Sequence, residues 1–366
     1  MTPLLPEGFR DRLPPHADAA AAVEARVLEA ARLHGYERAD PPLVEFAQGL
    51  GGRLKHNALT DAVRFVDPVS QRTLAIRPDL TAQIARIAAT RMGHHPRPVR
   101  LSYAGSVLKL RASELAPARE WRQLGCELIG LDSVAAAREV VGVAVEGLVA
   151  AGAAGVSIDF TLPDLVAALA EVLPVAADRL DLLRERLDAK DAGAVAELAP
   201  AYLPLIAAAG PFGPAIERLR GFDTHGVLAS RLDGLAAIAA SLGGEVTLTL
   251  DPTERHGFEY QSWLGFSLFV AGAPREVGRG GTYTVIHEDG AEEPATGFSL
   301  FADALGVAGG AGERRRLFLP LGTAPGEGTR LRAEGWITVA ALEPGDTPEA
   351  QLCTHVLDVG EARPIG

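Results

Sequence analysis

Between Trp121 and Ile129 the side chains alternate residue by residue, and this run commits the chain to a fold built on a sheet. A period of two sets Leu124, Cys126 and Leu128 on one face and Trp121, Gln123, Gly125, Glu127 and Ile129 on the other. Gln123 and Glu127 then lie about 13 Å apart at their α-carbons, with Gly125 leaving a slot between them. A small polar ligand laid over that glycine would meet both side chains. The plainer reading is the solvated face of an amphipathic strand, although Trp121 and Ile129 on the same face count against it.

The neighbouring segments supply what such a strand packs against. Val99–Tyr103 alternates in the same way. Residues 18–34 read as a helix with Val23, Val27 and Ala31 on one stripe, stopped by Gly35. Arg64–Ile76 reads as a hairpin turning at Asp67-Pro68, and Pro78 opens a helix ended by Gly93. Residues 164–243 form a largely helical insertion, interrupted notably at Pro211-Phe-Gly-Pro214. Strands are expected at Val246–Leu250, Trp263–Val270 and around Tyr283, and helix from Phe298 to Leu305. The glycines at 306, 309, 310 and 312 mark a linker over 306–316. It separates a core of 1–305 from a small tail, 317–366, of short strands around one helix. At about 50 residues that tail is too short for an ordinary independent core and is expected to lean on the larger domain.

Charge and cysteine usage narrow the function. A net charge of −12 argues against gripping nucleic acid through a global field. Cys126 and Cys353 are far apart and lack metal-ligand spacing, so a reducing cytoplasm is the expected compartment. The first 15 residues do not resemble a signal peptide, and no window approaches the roughly 20 apolar residues of a membrane span. There is no phosphate-binding loop signature, no zinc-protease motif and no nucleophile elbow, and neither metal nor cofactor is implied.

Three stretches remain as candidate chemistry. In Arg77-Pro-Asp-Leu-Thr81, Asp79 and Thr81 fall in the first turn of a helix, favoured by the helix dipole alone or set there as acceptors for an ammonium group. In Glu254-Arg-His-Gly-Phe-Glu-Tyr260, Arg255, His256 and Tyr260 suit a carboxylate and an aromatic ligand, though loop Arg and His residues are more often simply solvated. Arg279-Gly-Gly-Thr-Tyr283 reads as a glycine turn. From these residues alone the chain is an α/β protein with an amino-acid-sized polar pocket.

In order along the chain, these stretches resemble the histidyl-tRNA synthetase family. Leu5–Pro14 is similar to that family's start, Tyr36–Glu45 resembles class II motif 1 at the dimer interface, and Leu101–Gly130 resembles motif 2. Glu254–Tyr260, Gly280-Gly281 and Ala295–Leu300 fall where the histidine-specific loops and motif 3 belong. The resemblance spans residue 5 to about 306. It implies an α+β core with an antiparallel sheet flanked by helices, the helical insertion and a small C-terminal α/β appendage. It also implies a histidine pocket. Glu127 would accept an imidazole N–H beside Tyr260, Asp79, Thr81 and Gln123 would hold the ammonium, and Arg255 would hold the carboxylate. Asp79 stands where the family has Glu, and Glu259 where it has Tyr.

The nucleotide side departs from that pattern. The motif 2 step whose Arg clamps the α-phosphate reads Leu108-Lys-Leu-Arg111, so Lys109 replaces a bidentate fork with a point charge and Arg111 reverses a charge. Motif 3 reads Phe301-Ala-Asp-Ala304, so Ala304 lacks the γ-phosphate Arg and Phe301 adds bulk. Losing charge stabilisation at such a transition state typically costs about 3 kcal/mol or more per group. The tail is also shorter than an anticodon-binding domain, so no tRNA is expected. This combination is similar to the ATP phosphoribosyltransferase regulatory subunits, which assemble with a short catalytic subunit and answer to histidine. The resemblance implies a homodimer through the motif 1 region, joined to that catalytic subunit. The rival readings are a divergent class II ligase with a non-tRNA acceptor and a free-standing histidine sensor.

Overall fold

A computed structural model describes residues 4–54, 62–111, 118–255, 261–308 and 315–365, with the backbone alone for 306–308. The chain divides into two compact units, Met1–Gly309 and Gly310–Gly366. The first begins with α1 (His16–Leu33), which buries Val23, Val27 and Ala31. Gly35 stops it at φ +82°, a conformation that only glycine takes up without strain. β1 (Glu37–Arg38) follows, then β2 (Val44–Phe46), α2 (Ala47–Leu50), β3 (Arg64–Val66) and β4 (Thr73–Ile76). The β3–β4 hairpin turns where expected, because Asp67 accepts from the N–H groups of Val69 (3.2 Å) and Ser70 (3.1 Å). β2, β4 and β3 form a small sheet in that order.

α3 (Thr81–Thr90) starts three residues after Pro78, so Asp79 precedes the helix rather than sitting within its first turn. β5 (Val99–Leu108) and β6 (Glu120–Ile129) then pair antiparallel, and Ser133 caps α4 (Val134–Ala150) by accepting from the Ala136 N–H at 3.1 Å. β7 (Ser157–Thr161) leads into the insertion: α5 (Leu165–Ala170), α6 (Leu180–Asp188), α7 (Ala192–Leu198), β8 (Gly210–Pro211), α8 (Phe212–Phe222) and α9 (Ala229–Ser241). β9 (Thr247–Leu250), β10 (Gln261–Phe269), β11 (Gly278–Ile286), β12 (Glu292–Phe301) and α10 (Ala302–Ala308) complete the unit.

Among the described residues nine strands form one sheet, ordered β1-β5-β6-β12-β11-β10-β7-β9-β8. The six from β5 to β7 are antiparallel, while β1 pairs parallel with β5 and β9 parallel with β7. One face of the sheet carries Leu124, Cys126 and Leu128 against α1, α4 and the insertion. The other carries Leu101, Tyr103, Ile129, Tyr283 and Val285 against Ile84, Ala85 and Ala88 of α3.

Three expectations are corrected. Pro211-Phe-Gly-Pro214 does not simply interrupt helix. Gly210 and Pro211 pair with β9, and α8 starts at once, with Pro214 in its first turn, where no intrahelical N–H is needed. Arg279–Tyr283 is not a turn but the middle of β11. A Cβ at Gly280 would lie 2.3 Å from Phe266 Cζ, and one at Gly281 would lie 2.4 Å from the Leu264 carbonyl, so these glycines permit close strand packing. Phe298–Phe301 is strand, not helix, because both β6 and β11 offer it backbone partners, and α10 begins only at Ala302.

In the second unit β13 (Arg316–Leu319), α11 (Pro325–Ala333), β14 (Ile337–Ala340), β15 (His355–Asp358) and β16 (Glu361–Pro364) form a sheet ordered β14-β13-β15-β16. Leu331 of α11 packs on Leu317, Leu319 and Leu357. Among the described residues no helix is long and apolar enough to cross a membrane, and no group of His, Cys, Asp and Glu is arranged to hold a metal.

Leu128 is fully buried in the larger core. Leu128→Ala is expected to lower unfolding stability by about 2–5 kcal/mol. Urea denaturation would show this as a lower midpoint at unchanged slope; a midpoint within error of the parent would contradict the packing described.

Candidate functional site

Both faces of β6 are buried, so the solvated reading of its polar face fails: Gln123 and Glu127 are each 1% exposed. Hydroxyls from two other strands satisfy Glu127. Tyr103 of β5 donates to Oε1 at 3.0 Å, and Tyr283 of β11 donates to Oε2 at 2.7 Å. On β12, Gly297 faces Glu127 in register, and a Cβ there would fall 1.6 Å from Oε2. Only glycine lets the carboxylate lie against that strand.

The slot over Gly125 is not vacant. Tyr103 is its cross-strand partner, and a Cβ at 125 would lie 2.7 Å from the Tyr103 hydroxyl and 2.0 Å from the Phe298 carbonyl. The glycine admits a neighbouring phenol rather than a ligand. That phenol also lies 3.0 Å from Ser299 Oγ and 3.4 Å from Thr81 Oγ1. Gln123 accepts from the Leu80 N–H at 3.1 Å and donates to Asp79 Oδ2 at 3.0 Å and Ser299 Oγ at 2.7 Å. Asp79 Oδ1 accepts from the Thr81 N–H at 2.7 Å. One polar network thus joins the start of α3 to β5, β6, β11 and β12. Beside it opens a cavity lined by Thr81, Glu127, Gln261, Gly280, Tyr283 and Ser299, about 220 Å³ counted with the solvent at its mouth.

The structure brings together Asp79, Thr81, Gln123 and Glu127, and adds Tyr103, Tyr283 and Ser299, which the sequence reading did not select. Tyr103 and Tyr283 lie in segments already singled out, yet only the strand register aims them at Glu127. Arg255 is not among the residues lining this cavity; its N–H donates to Asp188 Oδ1 at 3.0 Å. His256, Glu259 and Tyr260 lie outside the described residues. Farther along β6, Lys109 Nζ stands 5.3 Å over the Trp121 ring, and Phe301 meets that ring edge-on at 6.3 Å. Arg111 is exposed, whereas Ala304 is buried in the core. Asp303, beside it, accepts from Arg12 at 2.9 Å.

Residues 8–305 match the family model for histidyl-tRNA synthetase. The chain is 42% identical to an ATP phosphoribosyltransferase regulatory subunit of Rhodospirillum centenum, over 99% of this chain and 96% of that one. The chain belongs to the ATP phosphoribosyltransferase regulatory subunit family. Among solved structures it is similar to a Bacillus halodurans protein described as an ATP phosphoribosyltransferase regulatory subunit/histidyl-tRNA synthetase. That match has TM-score 0.80 at 24% identity, covering 96% of this chain and 97% of the other. It is also similar to a chain of the Thermotoga maritima ATP phosphoribosyl transferase (HisG:HisZ) complex, with TM-score 0.60 at 18% identity, covering 79% of this chain and 98% of the other. At these identities the solved structures show the shared fold, that of the class II synthetases.

In this regulatory-subunit fold the buried carboxylate is held in an unusual protonation state. Removal from water pushes Glu127 from its ordinary 4.5 up to about 8, against the opposing hydrogen bonds from Tyr283 and Tyr103; the charge of Asp79 pushes the same way as burial. Because the folded value exceeds the unfolded one, the stabilising contribution is complete below about pH 4.5 and is lost as pH rises through about 8. Glu127→Gln keeps the shape and cannot ionise. Its stability advantage over the parent should therefore grow between pH 5 and 9, by on the order of 2–4 kcal/mol. Urea midpoints of the two proteins across that range test this, and parallel profiles would refute it.

Proposed function

We propose that this chain is the non-catalytic regulatory subunit of an ATP phosphoribosyltransferase, assembled with a short catalytic subunit and carrying histidine feedback to it. What supports the reading is the buried polar network of Asp79, Thr81, Gln123 and Glu127, together with Lys109, Arg111, Phe301 and Ala304 at the positions where the synthetases handle ATP. Glu127 is neutral below about pH 8, and a bound imidazolium would favour its ionised form, whose acceptor positions exceed the two that the tyrosine hydroxyls take up. Asp79, half-buried and next to Thr81 and Gln123, suits the ammonium group. Arg255 would meet the carboxylate and Tyr260 the ring. Histidine that prefers one quaternary state shifts the shared equilibrium, with a usual coupling of about 1–3 kcal/mol.

The nucleotide side supports catalytic silence. Lys109 is a point charge engaged with Trp121, Phe301 fills the space beside that ring, exposed Arg111 carries the opposite charge to the synthetase Glu, and buried Ala304 offers no cation to a phosphate. A homodimer suits the exposed face of the β2-β4-β3 sheet, where register sets Phe46, Leu74 and Phe65 in one apolar row beside Val44 and Ile76. The acidic net charge disfavours tRNA, and the two unpaired cysteines suit the cytoplasm.

Two measurements test the reading. Histidine-dependent exchange of pyrophosphate into ATP should stay at background for the purified chain; clear exchange would favour a class II ligase instead. In the complex co-expressed with the short catalytic subunit, Glu127→Gln should raise the histidine inhibition constant roughly ten- to a hundredfold, because a bound imidazolium would draw the otherwise neutral Glu127 into its ionised form and the amide cannot ionise. Assembly should be unaffected. An unchanged constant would move the regulatory site away from this pocket.

A further inference from the structure

Lys190 stands where the backbone favours glycine. α6 closes with the Lys190 N–H donating to the Leu187 carbonyl (3.1 Å) and the Asp191 N–H to the Arg186 carbonyl (2.9 Å), leaving Lys190 left-handed at φ +55°. Glycine, or failing that asparagine, is the usual residue in this helix-ending motif, because a Cβ is strained there. The chain has 40 glycines and only three lysines, so neither backbone preference nor composition explains a lysine at this position. Its side chain does. Nζ lies 2.6 Å from Asp251 Oδ1 and 2.5 Å from Thr253 Oγ1.

Those contacts belong to a set that straps one segment, Asp251 to Arg255, to the insertion. Thr253 is 4% exposed, its N–H donates to Asp251 Oδ1 at 3.2 Å, and its hydroxyl lies 3.3 Å from the Leu187 carbonyl. Asp188, two residues before Lys190, accepts from the Arg255 N–H at 3.0 Å. From the sheet side Thr161 donates to the Glu254 carbonyl at 2.6 Å. The segment leaving β9 is thus pinned between the end of α6 and β7 just where Arg255 emerges.

We propose that Lys190 is a positioning residue for ligand recognition: its ammonium ties Asp251 and Thr253 to the end of α6 and thereby sets the direction in which Arg255 approaches the carboxylate of a bound amino acid. This rests on the reading of Arg255 as the carboxylate partner of histidine. It gives the helical insertion a part in the site without supplying a contact to the ligand. A strap bridging two elements also makes ligand affinity depend on how α6 is packed.

Lys190→Gly tests this with little risk to folding, since it removes the strap and relieves the left-handed strain together. In the complex with the short catalytic subunit, K190G should raise the histidine inhibition constant about five- to thirtyfold while the thermal midpoint stays close to the parent's. Arg255→Ala should weaken inhibition comparably, and adding K190G to it should change the constant less than twofold. Amide exchange over 251–255 should quicken in K190G whether or not histidine is present. An unchanged constant with unchanged exchange, or full additivity with R255A, overturns the proposal. If E127Q leaves inhibition intact the pocket reading fails on its own; if E127Q weakens it and K190G does not, the strap alone fails.

Discussion

A carboxylate removed from water is costly unless its oxygens are met, and Glu127 sets that demand on the rest of the larger unit. Its two oxygens are answered by hydroxyls from β5 and β11, strands on opposite sides of it in the sheet, while β12 runs between β6 and β11. The demand is met only when all four strands are in register. Gly297 on β12 lets the carboxylate lie flat against the backbone, and Gly125 on β6 lets Tyr103 lean over to reach it. The same glycines that make the strands weak sheet formers in isolation make this close layering possible. Much of the site's polarity is consequently internal, and a ligand would join a network that already holds its shape.

The sheet also separates two kinds of packing. Its α1/α4 face is an apolar layer continuous with the insertion, with Leu124, Cys126 and Leu128 at its centre. Its α3 face mixes apolar residues with the polar network, so the network lies on strands whose other face is buried in the apolar core. Packing of this sort fixes the rotamers of the side chains in the network.

α3 occupies a joint in this arrangement. Thr81 at its start meets Asp79 and Tyr103, and Leu80 just before it donates to Gln123, while farther along Gln83 donates to Glu45 Oε1 at 2.9 Å and Arg86 pairs with the same carboxylate. Glu45 belongs to β2, on the small sheet whose opposite face exposes Phe46 and Phe65. Buried Arg77 adds bonds to the Pro41 carbonyl (2.7 Å) and Gln83 Oε1 (3.3 Å), fixing the turn that leads into α3. The pocket and the exposed apolar face are therefore attached to the same short helix through charged, hydrogen-bonded contacts rather than through loops.

Alternation and helical spacing were enough to find most elements, since periods of two and 3.6 are local properties of a chain. Val23, Val27 and Ala31, the Asp67 hairpin and the β6 faces were legible on those grounds, as was the grouping of Gln123 with Glu127. The family resemblance rested on the order of short motifs, which is also a property of sequence alone. What stayed hidden depends on register and on neighbours distant in the chain. Whether Gly125 left a hole or made room for Tyr103 is decided by which residue of β5 sits opposite, and a shift of one residue would turn Tyr103 to the other face. Phe298–Phe301 and the glycines of β11 took extended structure because strands on both sides supplied hydrogen-bond partners that local propensity cannot foresee. Likewise Lys190 and Asp251 lie 61 residues apart, and only the packing of the insertion against the end of β9 makes them a pair. Which residues are apolar, polar or free to bend can be read along the chain; which of them meet follows from burial and register, and these are set by the whole sheet at once.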